Sequence, residues 1–119
     1  MHAFETLKVP VGRIGIHWFG QNSFALKDST GAIVLTDPYF PHDRPAGRFV
    51  HPEPPLDEAS LRADFVLLTH DHGDHTCVES LERVRQGSPE ATFVGPVESM
   101  RRLSDAGFPE EALITITAG

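Results

Sequence analysis

The sequence predicts an α/β fold with a mixed, partly parallel sheet. Three short apolar segments precede residue 37, and their patterns are those of β-strands. After residue 63, three strand-like runs alternate with two segments of helical periodicity, in the order βαβαβ. Such alternation is typical of parallel sheets. The close spacing of the first three strands indicates an antiparallel meander.

Alternation and turn composition indicate the first three strands. In RIGIHWF at 13–19, apolar residues share one face of an extended chain. FALK at 24–27 and AIVLT at 32–36 are two more apolar runs. The intervening GQNS at 20–23 and DSTG at 28–31 have the composition of turns.

A proline-rich segment at 37–55 then interrupts the pattern with six prolines. Proline lacks a backbone donor and restricts the residue before it, so this segment is predicted to be an irregular loop. Loops this long are often binding loops or lids. We expect this loop, with its aromatic residues Tyr39, Phe40 and Phe49, to border the functional site. A short helix is predicted at 56–62.

The second half holds the βαβαβ pattern. DFVLLT at 64–69 is an uninterrupted apolar run, which is typical of a strand buried on both faces. Gly87 and Gly107 each follow a segment of helical periodicity and are expected to end those helices. The strands are predicted at 64–69, 91–95 and 112–117, and the helices at 77–86 and 96–107.

Composition narrows the functional classes. With 119 residues we expect one domain spanning 1–119. The net charge of −7 argues against a nucleic-acid backbone or an anionic membrane as the partner and leaves a small-molecule substrate, including an anionic one. Cys77 is the single cysteine, and we find neither a secretory signal nor a run of 18 apolar residues, which together favour the cytoplasm.

The segment THDHGDHT at 69–76 has the highest density of potential metal-binding side chains in the sequence, and it follows the apolar run directly. Ligands of open α/β sheets bind at the carboxyl ends of the strands. His70 and His72 are two residues apart, so an extended backbone would point both imidazoles to one side. A bend at Gly73 would turn Asp74 and His75 toward a second position.

This pattern predicts a metal site. Imidazole nitrogen together with carboxylate oxygen suits Zn²⁺, Mn²⁺ or Fe²⁺ without choosing between them. Two divalent ions fit the pattern, one on His70 and His72 and one on Asp74 and His75. A catalytic zinc usually has about three protein ligands, so each ion would need at least one more.

The helix that follows supports this interpretation. TCVE at 76–79 fits a capping box, with Thr76 as N-cap and Glu79 reaching back to it. Asp74 would then be free to bind a metal, and its charge would offset the electropositive helix N-terminus.

THDHGDH resembles the signature of the metallo-β-lactamase superfamily, and Asp37–Pro38 after a strand resembles its second element. GQNSF, DPYFPHDRP and HPEPPLDEA resemble the branch that contains L-ascorbate-6-phosphate lactonase. The resemblance runs from about Gly15 to Thr117. It implies an αβ/βα sandwich with a two-metal site and hydrolysis by a metal-bound hydroxide.

The resemblance also implies roles for single residues. His70 and His72 would bind the first metal, and Asp74 and His75 the second. Asp74 would also orient the hydroxide. Asp37 would hold ligand imidazoles by hydrogen bonds, although it could instead simply begin a turn before Pro38.

One departure from the family is large. Its members continue with another histidine, a bridging aspartate and a last histidine, whereas no histidine follows His75 here and the only later aspartate is Asp105. We therefore expect the chain to be the N-terminal half of such a sandwich and to be inactive alone.

Three functions remain open. The first is a lactone or ester hydrolase for a sugar-phosphate-like substrate, and the second a phosphodiesterase or nuclease of the same superfamily. The third is a non-catalytic metal-binding fragment, and self-association is left open for each.

Overall fold

A computed structural model describes residues 1–117 and has one six-stranded sheet at its centre. The strands are β1 Gly15–Trp18, β2 Phe24–Lys27, β3 Ile33–Thr36, β4 Phe65–Leu67, β5 Thr92–Gly95 and β6 Leu113–Thr115. They lie side by side in chain order. The pairs β1–β2 and β2–β3 are antiparallel, and the pairs from β3 to β6 are parallel. The predicted meander and parallel half are both present.

Helices cover one face of this sheet. They are α1 Ala3–Thr6, α2 Val78–Gly87 and α3 Val97–Asp105, and short 3-10 turns lie at Glu58–Ser60 and Glu110–Ala112. Because β4, β5 and β6 follow one another in the same direction, right-handed connections place α2 and α3 on the same face. None of the helices in residues 1–117 is long and apolar enough to cross a bilayer.

The hydrophobic core lies between that face and the helices. Leu35, Val66 and Phe93 point inward from neighbouring strands and are at most 1% exposed. Leu81 of α2 and Leu103 of α3 pack into the same cluster and are fully buried. The proline-rich loop adds Phe40, which is also fully buried.

Gly87 allows α2 to end close to the turn at Glu58–Ser60. A Cβ at this position would lie 2.6 Å from the Cα of Ala59 and 3.0 Å from the carbonyl oxygen of Glu58. The sequence predicted Gly87 as a helix stop. The structure shows in addition that only a residue without a side chain fits this approach.

The opposite face of the sheet is uncovered in residues 1–117. Phe65 and Leu67, which flank the buried Val66, are 43% and 38% exposed. In the part of the chain that the structure describes, 64–69 is therefore buried on one face only, as expected for half of a sandwich. The apolar run reflects a strand with two apolar faces, of which one is packed.

Other differences concern the ends of elements. The helix predicted at 56–62 is only a 3-10 turn at Glu58–Ser60, and α1 was not predicted. β2 has the predicted bounds, whereas the other five strands of residues 1–117 are shorter than the runs that predicted them, because pairing ends before those runs do. The segment 37–55 is irregular, as its prolines predicted.

Candidate metal centre

Asp37 is the hydrogen-bonding centre of the candidate site. It directly follows β3, and its side chain is buried beside the segment that follows β4. Its Oδ1 accepts from the backbone N–H of Thr69 at 2.9 Å, and its Oδ2 accepts from Thr69 Oγ1 at 2.7 Å. Oδ2 also lies 2.8 Å from Nδ1 of His75. The parallel pairing of β3 and β4 causes this meeting, because it brings their carboxyl ends together.

The backbone of Asp37 has a strained conformation that several contacts maintain. Its φ is 40°, in the left-handed region, which costs about 1–3 kcal/mol for a residue other than glycine. Its N–H donates to the carbonyl of Leu67 at 2.9 Å, and its carbonyl accepts from Ser23 Oγ at 2.7 Å. Ser23 lies beside it because Phe24 pairs with Thr36. The fold thus fixes the position of the carboxylate tightly.

His75 is oriented at both ring nitrogens. Nδ1 faces Asp37, so it carries the proton that the carboxylate accepts. The lone pair on Nε2 then accepts a hydrogen bond from the Nδ2 of Asn22 at 3.2 Å, and a metal ion at Nε2 would displace this amide. A histidine held at Nδ1 by a carboxylate is the usual arrangement of a metal-binding imidazole.

His70 is held in a similar manner by Thr69. Thr69 Oγ1 donates to Asp37 and lies 3.0 Å from Nδ1 of His70, from which it can accept. The rings of His70 and His75 are tilted by 43° with centroids 3.9 Å apart, and the ring of His72 meets His70 edge-on at 4.5 Å. The three predicted histidines therefore form one cluster.

The fourth predicted ligand is less closely integrated. Asp74 Oδ2 is 3.8 Å from Nε2 of His75, and its side chain is 48% exposed. In residues 1–117, no three His, Cys, Asp or Glu side chains converge in a geometry that would hold a metal ion. The described segment thus gathers and orients the predicted donors without completing a ligand shell.

The predicted capping box is absent. α2 begins at Val78 after Cys77, and no side chain caps it. The hydroxyl of Thr76 is buried, donates to the carbonyl of His70 at 2.6 Å and lies 2.9 Å from the hydroxyl of Ser99 on α3. The extended geometry expected for His70 and His72 is also absent, because 71–75 form bends and turns. Thr76 stabilises this compact loop rather than the helix.

The proline-rich loop lies beside the cluster, as the sequence predicted. Tyr39, Arg48 and Phe49 of the loop and Asp74 line one cleft of about 370 Å³. Burial raises the pKa of the Tyr39 hydroxyl, and negative charge at Cys77 and Asp74 raises it further.

The loop is fixed to α2 at the buried Phe40. The N–H of Phe40 donates to Ser80 Oγ at 2.8 Å, and its carbonyl accepts from Arg83 at 2.7 Å. Arg83 also binds the buried Glu58 at 3.0 Å and Glu79 at 2.9 Å. Glu79 also accepts from the backbone N–H of His42 at 3.3 Å, so it holds the loop instead of reaching back to Thr76. The helix after the histidine cluster, α2, therefore also fixes the proline-rich loop that lies beside the cluster.

Asn22, Thr69 and Thr76 were not predicted as site residues. The polar GQNS turn gave a weak signal for Asn22, but only strand pairing places it beside His75. Thr69 and Thr76 flank the ligand motif as its first and last letters. Their hydroxyl groups contact Asp37 and Ser99, which are close in the structure but distant in the sequence.

Comparisons with known proteins place the chain among related sequences. The family described as "Beta-lactamase superfamily domain" matches residues 15–112. The uncharacterized protein Rv0906 of Mycobacterium tuberculosis is 33% identical over 110 residues, covering 87% of this chain and 29% of that protein. A UPF0173 metal-dependent hydrolase of Pyrobaculum neutrophilum is 28% identical over 104 residues, covering 87% of this chain and 42% of that protein. The chain thus spans less than half the length of these relatives.

A solved structure supports the fold. Igni18, described as a novel metallo hydrolase from Ignicoccus hospitalis, superposes with a TM-score of 0.59 at 22% identity. The match covers 89% of this chain and 40% of that one. At this identity the likeness concerns the fold alone, and it confirms the predicted fold class.

Proposed function

The chain belongs to the beta-lactamase superfamily domain family, and we propose on this basis that it forms part of a metal-dependent hydrolase. The observation that carries the proposal is the anchoring of two imidazoles. Asp37 and Thr69 occupy the Nδ1 sides of His75 and His70, so a cation would bind at the Nε2 atoms, at His75 in place of the Asn22 amide. Histidines that served only in packing would not need their Nδ1 atoms to be held in this way.

The donor set fits a divalent metal. We assign His70 and His72 to one ion and Asp74 and His75 to a second, with Zn²⁺, Mn²⁺ and Fe²⁺ as the candidates. When bound, such an ion supplies Lewis acidity and makes water reactive near neutral pH. Asp37 keeps the proton of His75 on Nδ1, and Asp74 orients the attacking water. The name of the Pyrobaculum neutrophilum relative, a metal-dependent hydrolase, supports the use of a metal.

The substrate that we propose is a small lactone or ester with a sugar-phosphate-like structure. The cleft of about 370 Å³ beside Asp74 has a volume typical of small-molecule sites. GQNSF and DPYFPHDRP resemble the branch that contains L-ascorbate-6-phosphate lactonase. The net charge of −7 disfavours a nucleic-acid substrate, and we retain the cytoplasm as the proposed location.

Ligand counting leads to a further part of the proposal. The cluster offers two side chains to each of two ions, and no histidine follows His75. We propose that residues 1–119 alone bind metal weakly and have no turnover, because the missing ligands belong to a part of the domain that this segment does not supply.

The test is metal uptake by purified residues 1–119, measured by calorimetry and elemental analysis with Zn²⁺ and Mn²⁺. We expect weak uptake that His70→Ala and His75→Ala abolish. The control His17→Ala removes a histidine of β1 that makes no hydrogen bond to the cluster and should have no effect. Equal uptake by all four proteins would refute the site.

Turnover is tested on lactones, phosphate esters and phosphodiesters, with the Pyrobaculum neutrophilum relative assayed in parallel. We expect hydrolysis by the relative and none by residues 1–119. Two tightly bound ions and full activity in residues 1–119 would show that the ligand assignment is wrong. Phosphodiester cleavage without lactone cleavage would replace the proposed substrate class.

A further inference from the structure

We propose that the cleft between the proline-rich loop and Asp74 is a subsite for the anionic group of a small substrate, and that Arg48 binds this anion. The proposal rests on the proposed function, because the cleft opens beside the candidate metal ligands. It assigns a role to a residue outside the ligand motif.

The cleft has two aromatic walls. Tyr39 and Phe49 lie with ring centroids 5.9 Å apart, and both rings are half-buried. Asp74 closes one side, and Arg48 lines the same space. An organic anion entering the cleft would thus meet an apolar surface, a cation and the candidate metal centre.

The two arginines of the loop have different roles. Arg44 uses its donors within the loop. Its Nε donates to the carbonyl of Pro41 at 2.9 Å, and its Nη1 donates to that of His51 at 3.2 Å. Its guanidinium also lies 4.5 Å from the ring centroid of Phe49. Arg44 therefore builds the wall.

The side chain of Arg48 makes no such contacts with the loop. Its backbone N–H closes a turn onto the carbonyl of Pro45 at 3.2 Å, with Gly47 at a φ of 79°. The side chain is exposed, and its guanidinium makes no hydrogen bond or ion pair with the residues at 1–117. The turn positions a cation at the cleft and leaves its donors to a ligand. A guanidinium suits carboxylates and phosphates because its planar donors match two oxygens at once.

The cleft also contains two carboxylates, Asp74 and Asp43, and the second provides a matched control. Asp43 lines it from the same loop as Arg48. An anion should therefore bind more weakly when Arg48 loses its charge, and equally well or more tightly when Asp43 loses its own. A cleft that merely encloses small molecules would respond to neither substitution.

Tyr39 gives a direct readout, because it is the only tyrosine in the chain. Incorporation of 3-fluorotyrosine yields a single ¹⁹F resonance from the cleft wall. The probes are glucose 6-phosphate, gluconate and neutral glucose, titrated in EDTA so that no metal contributes. The first two distinguish a phosphate from a carboxylate ligand, and glucose reports binding without charge.

We expect glucose 6-phosphate or gluconate, but not glucose, to shift the resonance saturably. Arg48→Gln should weaken that binding about fivefold, which corresponds to about 1 kcal/mol for an exposed ionic contact. Arg48→Lys should recover part of the loss, and Asp43→Asn should not weaken binding.

Several outcomes would overturn the inference. One is equal shifts with glucose and glucose 6-phosphate, and another is unchanged anion affinity in Arg48→Gln. A third is binding that requires added Zn²⁺ and disappears in His70→Ala but not in Arg48→Gln, since the metal would then be the anion's partner. If residues 1–119 take up no metal but still show the Arg48-dependent shift, the result counts against the proposed function alone.

Discussion

The two faces of the sheet are similar in sequence but differ in environment. On the covered face, Leu35, Val66 and Phe93 are at most 1% exposed beneath the helices. On the other face, Phe65 and Leu67 are 43% and 38% exposed. Strand alternation places adjacent residues on opposite faces, so the difference arises from what packs on each face rather than from hydrophobicity.

The uncovered face is one continuous surface. The register pairs Trp18 with Phe24, and Val34 with Phe65, so apolar side chains adjoin across neighbouring strands. Its exposed members within the strands include Ile16 at 64%, Trp18 at 50%, Ile114 at 48%, Phe65 at 43%, Leu67 at 38% and Phe24 at 37%. Contiguous apolar surface of this kind is typical of interfaces. The candidate metal centre lies at the edge between the two faces, where β3 and β4 end.

The sharpest test of the comparison uses the same substitution on both faces. Phe93→Ala should lower the free energy of unfolding by about 3–5 kcal/mol, because it leaves a cavity in the core. Phe65→Ala, on the strand next to it, should cost less than about 1 kcal/mol in the monomer. Urea unfolding followed by circular dichroism measures both. Similar losses would show that the second face is also packed in solution.

This asymmetry also explains what sequence could predict of the fold. Apolar runs and turn composition located all six strands and both long helices. They could not reveal that Phe65 and Leu67 face open space, because the pattern records which faces are apolar and not which are covered. The helix at 56–62 failed because its residues pack as a short turn against Gly87.

The candidate site could be predicted from the sequence to about the same extent as the fold. Local spacing identified the histidine cluster, since its members are adjacent in the chain. Asp37 was identified through resemblance, and the structure places it 2.8 Å from His75. Asn22 and the Thr76–Ser99 contact depend on strand pairing and helix packing, which spacing does not encode. The expected cap at Thr76 failed because the burial of its hydroxyl favours loop contacts instead.

The next prediction separates the site from the core beneath it. Asp37→Asn keeps the size of the side chain but removes the charge that fixes the proton of His75 on Nδ1. We expect metal affinity to fall about 10- to 100-fold, while the circular dichroism spectrum remains that of a folded chain. Calorimetric titration with Zn²⁺ measures the affinity. Unchanged affinity would reduce Asp37 to a turn residue before Pro38.

A smaller effect concerns association through the uncovered face. Replacing Trp18 and Leu67 with Glu and Lys, respectively, introduces charge on this face without touching the core. We expect less concentration-dependent association in analytical ultracentrifugation and unchanged secondary structure. The control Val97→Lys changes an exposed apolar residue of α3, which lies on the helical side of the sheet. Equal responses to both changes would show that the sheet face has no special part in association.

The smallest predicted effect lies in the outer layer of the covered face, where α2 holds the proline-rich loop. The hydrogen bond from Arg83, foremost, and that from the N–H of His42 lower the pKa of the Glu79 carboxyl below its ordinary value of 4.5. A carboxyl whose pKa is lower in the folded state stabilises the fold above its unfolded pKa, and this contribution disappears as the pH falls through the folded value. Glu79→Gln should therefore lower stability slightly at pH 7, and its difference from the unmodified chain should shrink as the pH falls below 4.5 and through the lowered pKa. Because the Glu79 side chain is 48% exposed, 1 M NaCl should reduce the difference at pH 7. The measurement is the urea midpoint of both chains at pH 7 and in steps below pH 4.5. A difference that does not shrink with falling pH would mean that Glu79 acts through packing rather than charge, and its ion pair with Arg83 would then have no measurable part in stability.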